Sequence, residues 1–272
     1  MNSFFPDKNL VIILLLGHLI GDFVFQTNKV FKFKLKGIIG ILWHSLLVSA
    51  VTLIVLSMFC RNFIFIITAS IFIFIFHFII DLAKYKSRVE EAIKFIIDQI
   101  AHFLSIIILS IVMRYIFSFV IINASTINYA MFFVGIIMVL YFVKYFIKSL
   151  YKILDIKNEI SVVYRFMESG ERFMIFFFSY MHGFYFLLIA LAVIPRSIYA
   201  INNNKQHIFY DIIISMLISS GAGIILRKAT LDNPFSMPEF LIFSSLFFLS
   251  SFIIGKLIDL LTGFVKRRIL GS

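Results

Sequence analysis

Residues 17–27 read Gly17-His18-Leu19-Ile20-Gly21-Asp22-Phe23-Val24-Phe25-Gln26-Thr27. The stretch lies inside the first long apolar run of the chain, yet it carries three strongly polar side chains. His18, Asp22 and Gln26 are spaced i, i+4, i+8, which on a helix of about 3.6 residues per turn predicts one stripe. A carboxylate in the middle of a membrane helix costs about 2.5–3.5 kcal/mol on insertion scales, so it needs a partner, and its default reading is functional.

Apolar runs of about 18 or more residues recur along the chain, each long enough to span a bilayer. Of the 272 residues, 61% are hydrophobic and 14% charged, and the mean hydropathy is +1.03. Soluble domains carry about 25% charged residues. The sequence therefore predicts an all-α fold, a polytopic transmembrane helix bundle of seven to eight spans. The spans fall at residues 9–28, 37–59, 63–83, 95–118, 129–150, 173–194, 209–226 and 239–263. The first is expected to be a retained span, because it has neither a basic n-region nor a small-residue cleavage site. Residues 1–120 are expected to form a four-span half carrying the polar site. Residues 121–272 are expected to form a second transmembrane half, packed with the first as one unit. The single cysteine, Cys60, excludes an internal disulfide and a thiolate metal cluster.

The net charge of +11 is assigned to the excess of Lys and Arg in cytoplasmic loops. The basic residues are scattered over several loops, so no nucleic-acid partner is expected. Loops after the first, third and fifth spans hold Lys29, Lys32, Lys34 and Lys36, then Lys84, Lys86 and Arg88, then Lys152. This places those loops in the cytoplasm and the chain in the inner, cytoplasmic membrane. One feature disagrees: eight spans put the C-terminus outside, yet it carries Lys266-Arg267-Arg268. A last segment that is split or re-entrant, or a span miscounted in the second half, would remove the conflict.

The first four runs repeat one pattern. His18 and Asp22 are four apart, as are His77 and Asp81, and Asp98 and His102 in reverse order, while His44 stands alone in the second run. At about 1.5 Å rise per residue, all seven fall at one level near the basic loops. Helices that bring His and Asp side chains to one level are how metal sites are built in bundle cores. Imidazole and carboxylate ligands suit Zn, Mn or Fe. The expected cofactor is one or two divalent ions, zinc foremost. Seven ligands exceed the four positions of a tetrahedral zinc, so two ions share the site or some carboxylates orient the histidines. Gln26 and Gln99 could donate to a substrate oxygen. A proton or ion pathway, and purely structural polar packing, stay open as alternatives.

Elsewhere, Glu168, Glu171 and Arg172 either reach over the site and hold an anionic substrate, Arg172 by its bidentate guanidinium, or form a solvated helix start. His182 and Arg196 are weaker candidates. His207 is expected in an exposed loop, and Asp259 is expected to pair with Lys256 or face solvent.

The run Gly-His-x3-Asp-Phe-x2-Gln-Thr at 17–27, a later His, His-x3-Asp at 77–81 and Asp-Gln-x2-His at 98–102 together resemble a bacterial polytopic membrane family of unknown function. That family is often encoded beside SatD-like proteins. A more distant likeness is to membrane-bound metal-dependent hydrolases. No His-Glu-x2-His is present, which argues against a zincin-type protease.

The expected function is a metal-dependent membrane hydrolase acting at the cytoplasmic side on an amphipathic, lipid-like or lipid-linked substrate, with membrane lipids as its surroundings. Metal ligands would be His18, Asp22, His44, His77, Asp81, Asp98 and His102. Catalytic and positioning roles would fall to Asp22, Asp98, Gln26, Gln99 and Arg172. The alternatives are a divalent-cation or proton transporter and a non-catalytic accessory protein.

Overall fold

Asp7 starts the first helix: its carboxylate accepts from the Asn9 and Leu10 amides at 2.9 and 3.3 Å, satisfying donors that have no partner within the helix. The computed structural model describes residues 7–117, 126–154 and 162–270. Helix α1 (Lys8–Leu19) continues as a π-helical turn, Ile20–Val24. Helices α2 (Asn28–Lys34), α3 (Ile38–Phe59), α4 (Phe63–Lys86) and α5 (Glu91–Ile116) follow. Next come α6 (Ile127–Ile137), a second π turn (Met138–Phe142), α7 (Val143–Ile153) and α8 (Val162–Met181). A 3-10 turn (Gly183–Leu188), α9 (Ile189–Asn202), α10 (His207–Ala229) and α11 (Met237–Leu270) complete the order. No strand occurs among the described residues, and the fold is all-α as expected.

Seven helices are long and apolar enough to cross a membrane, and the bent pair Lys8–Val24 with Asn28–Lys34 makes an eighth if counted as one span. The chain is a multi-pass membrane protein. The expected half boundary at 120/121 and part of the polar break at 123–128 lie outside the described residues, as do residues 155–161 of the polar-rich stretch.

Two expectations fail locally. The first span does not run as one helix to residue 28. The helix widens to π geometry at Ile20, ends at Phe25 and turns by 91° into α2. The supposed basic loop 29–36 is largely this helix. Its cap is the Thr27 side chain, which accepts from the Val30 amide, and it buries Val30 and Phe33 while exposing Lys29 and Lys32. The sixth run, 173–194, is split. α8 stops at Met181, where His182 and Gly183 take φ of 60° and 61°, a left-handed backbone that breaks the helix. Pro195 does not close a span but lies inside α9.

The chain divides into two compact units, Met1–Val134 with Ser245–Ser272, and Gly135–Ser244. In unit 1, α1 packs on α3, α3 on α4, α4 on α5, and α5 returns to α1, a closed four-helix bundle. Gly17 and Gly21 let α1 approach α3 closely: a Cβ there would lie 2.8 Å from Thr52 Cα and Val48 Cα respectively. Small residues four apart are the usual device for close helix contact in lipid, where the gain is packing rather than water release. One end of this bundle is apolar, filled by Leu10, Ile13, Phe65, Leu109 and Met113. The hydroxyls of Thr52 and Ser70 there bond back to Val48 and Ile66 carbonyls of their own helices.

In unit 2, α8 packs on α9 and α10. The Phe240 ring meets those of Phe176, Phe177 and Tyr180. Beside them lies a buried ionic group. Arg196 pairs with Glu171 at 2.9 Å and with Asp211 at 3.5 Å, and Arg172 pairs with Glu168.

Candidate metal centre

Each polar side chain of unit 1 reaches the bundle axis for a local reason. The π turn carries Asp22, and π turns recur at functional sites because the extra residue redirects side chains. His44 sits on α3 two turns from its start, His77 and Asp81 lie a turn apart on α4, and Asp98 and His102 a turn apart on α5. All seven are buried, with exposures from 0% to 7%.

The seven converge. His44 Nε2 is 3.0 Å from Asp22 Oδ1 and 3.8 Å from Asp81 Oδ2. His77 Nε2 is 3.2 Å from Asp81 Oδ2, His102 Nε2 is 3.4 Å from Asp98 Oδ1, and His18 Nε2 is 3.9 Å from Asp22 Oδ2. The His77 ring lies 4.3 Å from that of His102 and 5.0 Å from that of His44. The His18 and His102 centroids are 4.7 Å apart. Three sets place one ligand atom from each residue within 4.8 Å of the others: His18, His77, His102; Asp22, His44, His77; and Asp81, Asp98, His102.

The donor set fits a divalent cation. His18 Nε2, His77 Nδ1 and Nε2, His102 Nε2 and Asp98 Oδ1 are buried and form no hydrogen bond. Leaving such a group unsatisfied costs about 1–3 kcal/mol, which a ligand bond would offset. With ligand bonds of about 2.0–2.2 Å, small inward shifts would close any of the three sets. His77 and His102 each belong to two sets, whereas Asp22, His44, His77 and Asp81, Asp98, His102 have no residue in common and could each hold an ion.

Gln26 departs from the expected stripe, since the helix ends before it. Its amide nevertheless lies 3.3 Å from Asp22 Oδ1 and 3.2 Å from His44 Nε2. Gln99 Nε2 donates to Asp98 Oδ2 at 3.2 Å and to Asp22 Oδ2 at 3.5 Å. Arg172 is fully buried in unit 2, where it bonds Glu168 and donates to Ser215 Oγ at 3.1 Å. Glu168 and Glu171 are buried too, so the solvated helix start is not what forms. Arg196, expected after a span, is likewise buried. His182 ends α8. His207 is not in an exposed loop: it starts α10, with its ring 5.5 Å from that of Tyr151. Asp259, half-buried, accepts from Thr27 Oγ1 at 2.5 Å, a partner distant in sequence.

Sequence reasoning passed over two lysines. Lys34 Nζ is 2.7 Å from Asp81 Oδ2, and Lys84 Nζ is 2.7 Å from Asp98 Oδ2. In the sequence both read as loop charge. The Thr27-x2-Val30-x2-Phe33 pattern could have announced the capped, amphipathic α2 that delivers Lys34. Lys84 stands three residues after Asp81, one helical turn along the same face.

No curated protein and no solved structure matches the chain. Residues 10–130, the segment that contains all seven clustered residues, match a protein family of unknown function, DUF3307, in keeping with the resemblance to an uncharacterised family carried by the motif.

Proposed function

We propose that the cluster in unit 1 holds one or two divalent cations, zinc foremost and manganese or iron next. On this reading the protein is a metal-dependent hydrolase of an amphipathic, lipid-like or lipid-linked substrate. The observation that carries the proposal is the convergence of four imidazoles and three carboxylates from four helices, with ring nitrogens of His18, His77 and His102 buried and unbonded. A cation there would acidify a bound water and polarise a phosphoryl or acyl oxygen. Asp22 and Asp98 would take protons or orient imidazoles, and Gln26 and Gln99 would donate to the substrate oxygen. The Lys-rich segments beside the cluster favour the cytoplasmic face of the cell membrane as its location. A transport path draws less support. Beyond the cluster the described core of unit 1 is mostly apolar, and the buried hydroxyls of Thr52, Ser70 and Ser110 are each taken up by a backbone carbonyl.

The test uses the full chain purified in detergent and loaded with Zn2+ or Mn2+. Hydrolysis of phosphate-ester and acyl-ester amphiphiles is compared with that of their soluble short-chain counterparts. Metal-dependent turnover that favours the amphiphile and is lost in Asp22→Asn and Asp98→Asn is expected. Turnover of neither ester class, with metal bound, would reject the hydrolase.

A further inference from the structure

The two overlooked lysines hold the same carboxylates that the proposed metal would use. Lys34 reaches Asp81 from α2, beyond the 91° bend, and Lys84 reaches Asp98 from the last turns of α4. The carboxylate side chains are buried, at 1% and 3% exposure, whereas the lysine side chains are 13% and 28% exposed. The lysine side chains therefore approach the buried carboxylates from a less buried side. A lysine head is a compact charge on a flexible four-carbon stem, so it can leave without the backbone moving.

Charge balance makes the exchange even. With neutral imidazoles, Asp22, Asp81 and Asp98 bring three negative charges, and the two lysines leave one uncompensated. One divalent cation in place of both ammonium groups leaves the same single charge. A cation bonded to Asp81 and Asp98 cannot share those oxygens with ammonium groups at hydrogen-bond distance, because like charges at that spacing repel strongly. The lysines would then be released at the mouth of the site as a pair of unpaired positive charges, the chemistry that binds phosphate.

We infer that Lys34 and Lys84 are exchangeable counter-cations: they hold Asp81 and Asp98 in the metal-free protein, yield them to a divalent cation, and then bind the phosphate head of an amphipathic substrate. This rests on the metal centre proposed above. The bent α2 is on this view the arm that carries one of the two phosphate-binding groups.

The experiment strips the full chain of metal with a chelator, removes the chelator, and follows the thermal midpoint in detergent during titration with Zn2+ or Mn2+, for wild type and for the Lys34→Met/Lys84→Met double variant. Wild type should be stabilised by metal. The double variant should start lower and saturate at a metal concentration at least tenfold lower, because no internal cation competes. If the double variant does not fold without metal, metal in the growth and purification buffers should restore it. A variant that metal does not restore, or that saturates at the wild-type concentration, overturns the inference. A wild type that no metal stabilises overturns the metal centre itself, which separates the two failures.

Inorganic phosphate and short-chain phosphatidic acid are then added separately to metal-loaded protein. A further rise in wild type that is absent in the double variant is expected. A rise with the lipid alone assigns the anion to a membrane headgroup, and a rise with both assigns it to phosphate as such. No rise with either, or an equal rise in the double variant, overturns the role in phosphate binding.

Discussion

The imidazoles of His77 on α4 and His102 on α5 stack nearly parallel, with centroids 4.3 Å apart and planes 21° apart. Each Nε2 faces a carboxylate oxygen, Asp81 Oδ2 at 3.2 Å and Asp98 Oδ1 at 3.4 Å, but neither contact has hydrogen-bond geometry. Two polar rings face to face in the dry core of a membrane bundle gain little from each other. They become favourable together when a third body takes their lone pairs, and neutral imidazole is the commonest metal ligand in proteins. Chelation should therefore lower the thermal midpoint of the wild type. At metal a hundredfold above its dissociation constant the stabilisation amounts to about 2.7 kcal/mol. His77→Ala and His102→Ala should lose most of that response, as read by differential scanning fluorimetry with and without chelator.

The approach of α1 to α3 depends on having no side chain at residues 17 and 21. Gly17→Ala and Gly21→Ala place a Cβ 2.8 Å from Thr52 Cα and Val48 Cα, closer than real contacts allow. Overpacking of this kind costs about 1–3 kcal/mol. Because His18 and Asp22 flank these glycines, metal affinity should fall with the midpoint. A midpoint equal to that of wild type would show that α1 is not seated as described.

Thr27 does two jobs. Its hydroxyl caps α2 and donates to Asp259 of α11. Thr27→Val keeps the volume and removes both, at a cost of about 1–2 kcal/mol in line with lost caps, whereas Thr27→Ser should stay near wild type. Urea or thermal unfolding of the two variants side by side distinguishes the hydroxyl from the methyl.

In unit 2, Arg196→Met leaves the buried Glu171 and Asp211 without their guanidinium partner. Removing one partner of a buried pair costs about 3–5 kcal/mol. The variant should express poorly or melt far below wild type.

Cys60 lies between α3 and α4 and is 3% exposed. Burial first, and then the Asp7 carboxylate, push its thiol up to about 11. The thiolate is the reactive form, so the native protein should resist maleimide at pH 7 and label fully once denatured. Native labelling should become appreciable only as the pH approaches 11. Rapid native labelling at pH 7 would contradict the packing at this end of the bundle.

The helical character of the chain and the seven clustered residues were legible because both rest on spacing. Apolar run length sets the spans, and His–Asp pairs four apart set which face each helix turns inward. Their common level followed from counting rises between Lys-rich ends. What spacing could not show was departure from regular helix. The π turn at Asp22 and the end of the helix at Phe25 alter the register without any Pro to announce it. The split at His182 places a non-glycine residue at φ 60°, which no residue-type rule predicts. The lysines were missed because a charge near a membrane surface is ordinarily solvated, and only the fold of α2 turns Lys34 back toward Asp81. Arg172 drew attention by its neighbours in sequence, yet its described partners are Glu168 and Ser215.

The most direct test is elemental analysis of the full chain, purified in detergent without added chelator, beside His18→Ala, His77→Ala and His102→Ala. One to two equivalents of a divalent metal, zinc foremost, are expected in the wild type, with a loss of most of it in each variant that remains folded. A folded wild type that carries no divalent metal, and takes none up on dialysis against zinc, manganese or iron, would contradict the metal centre.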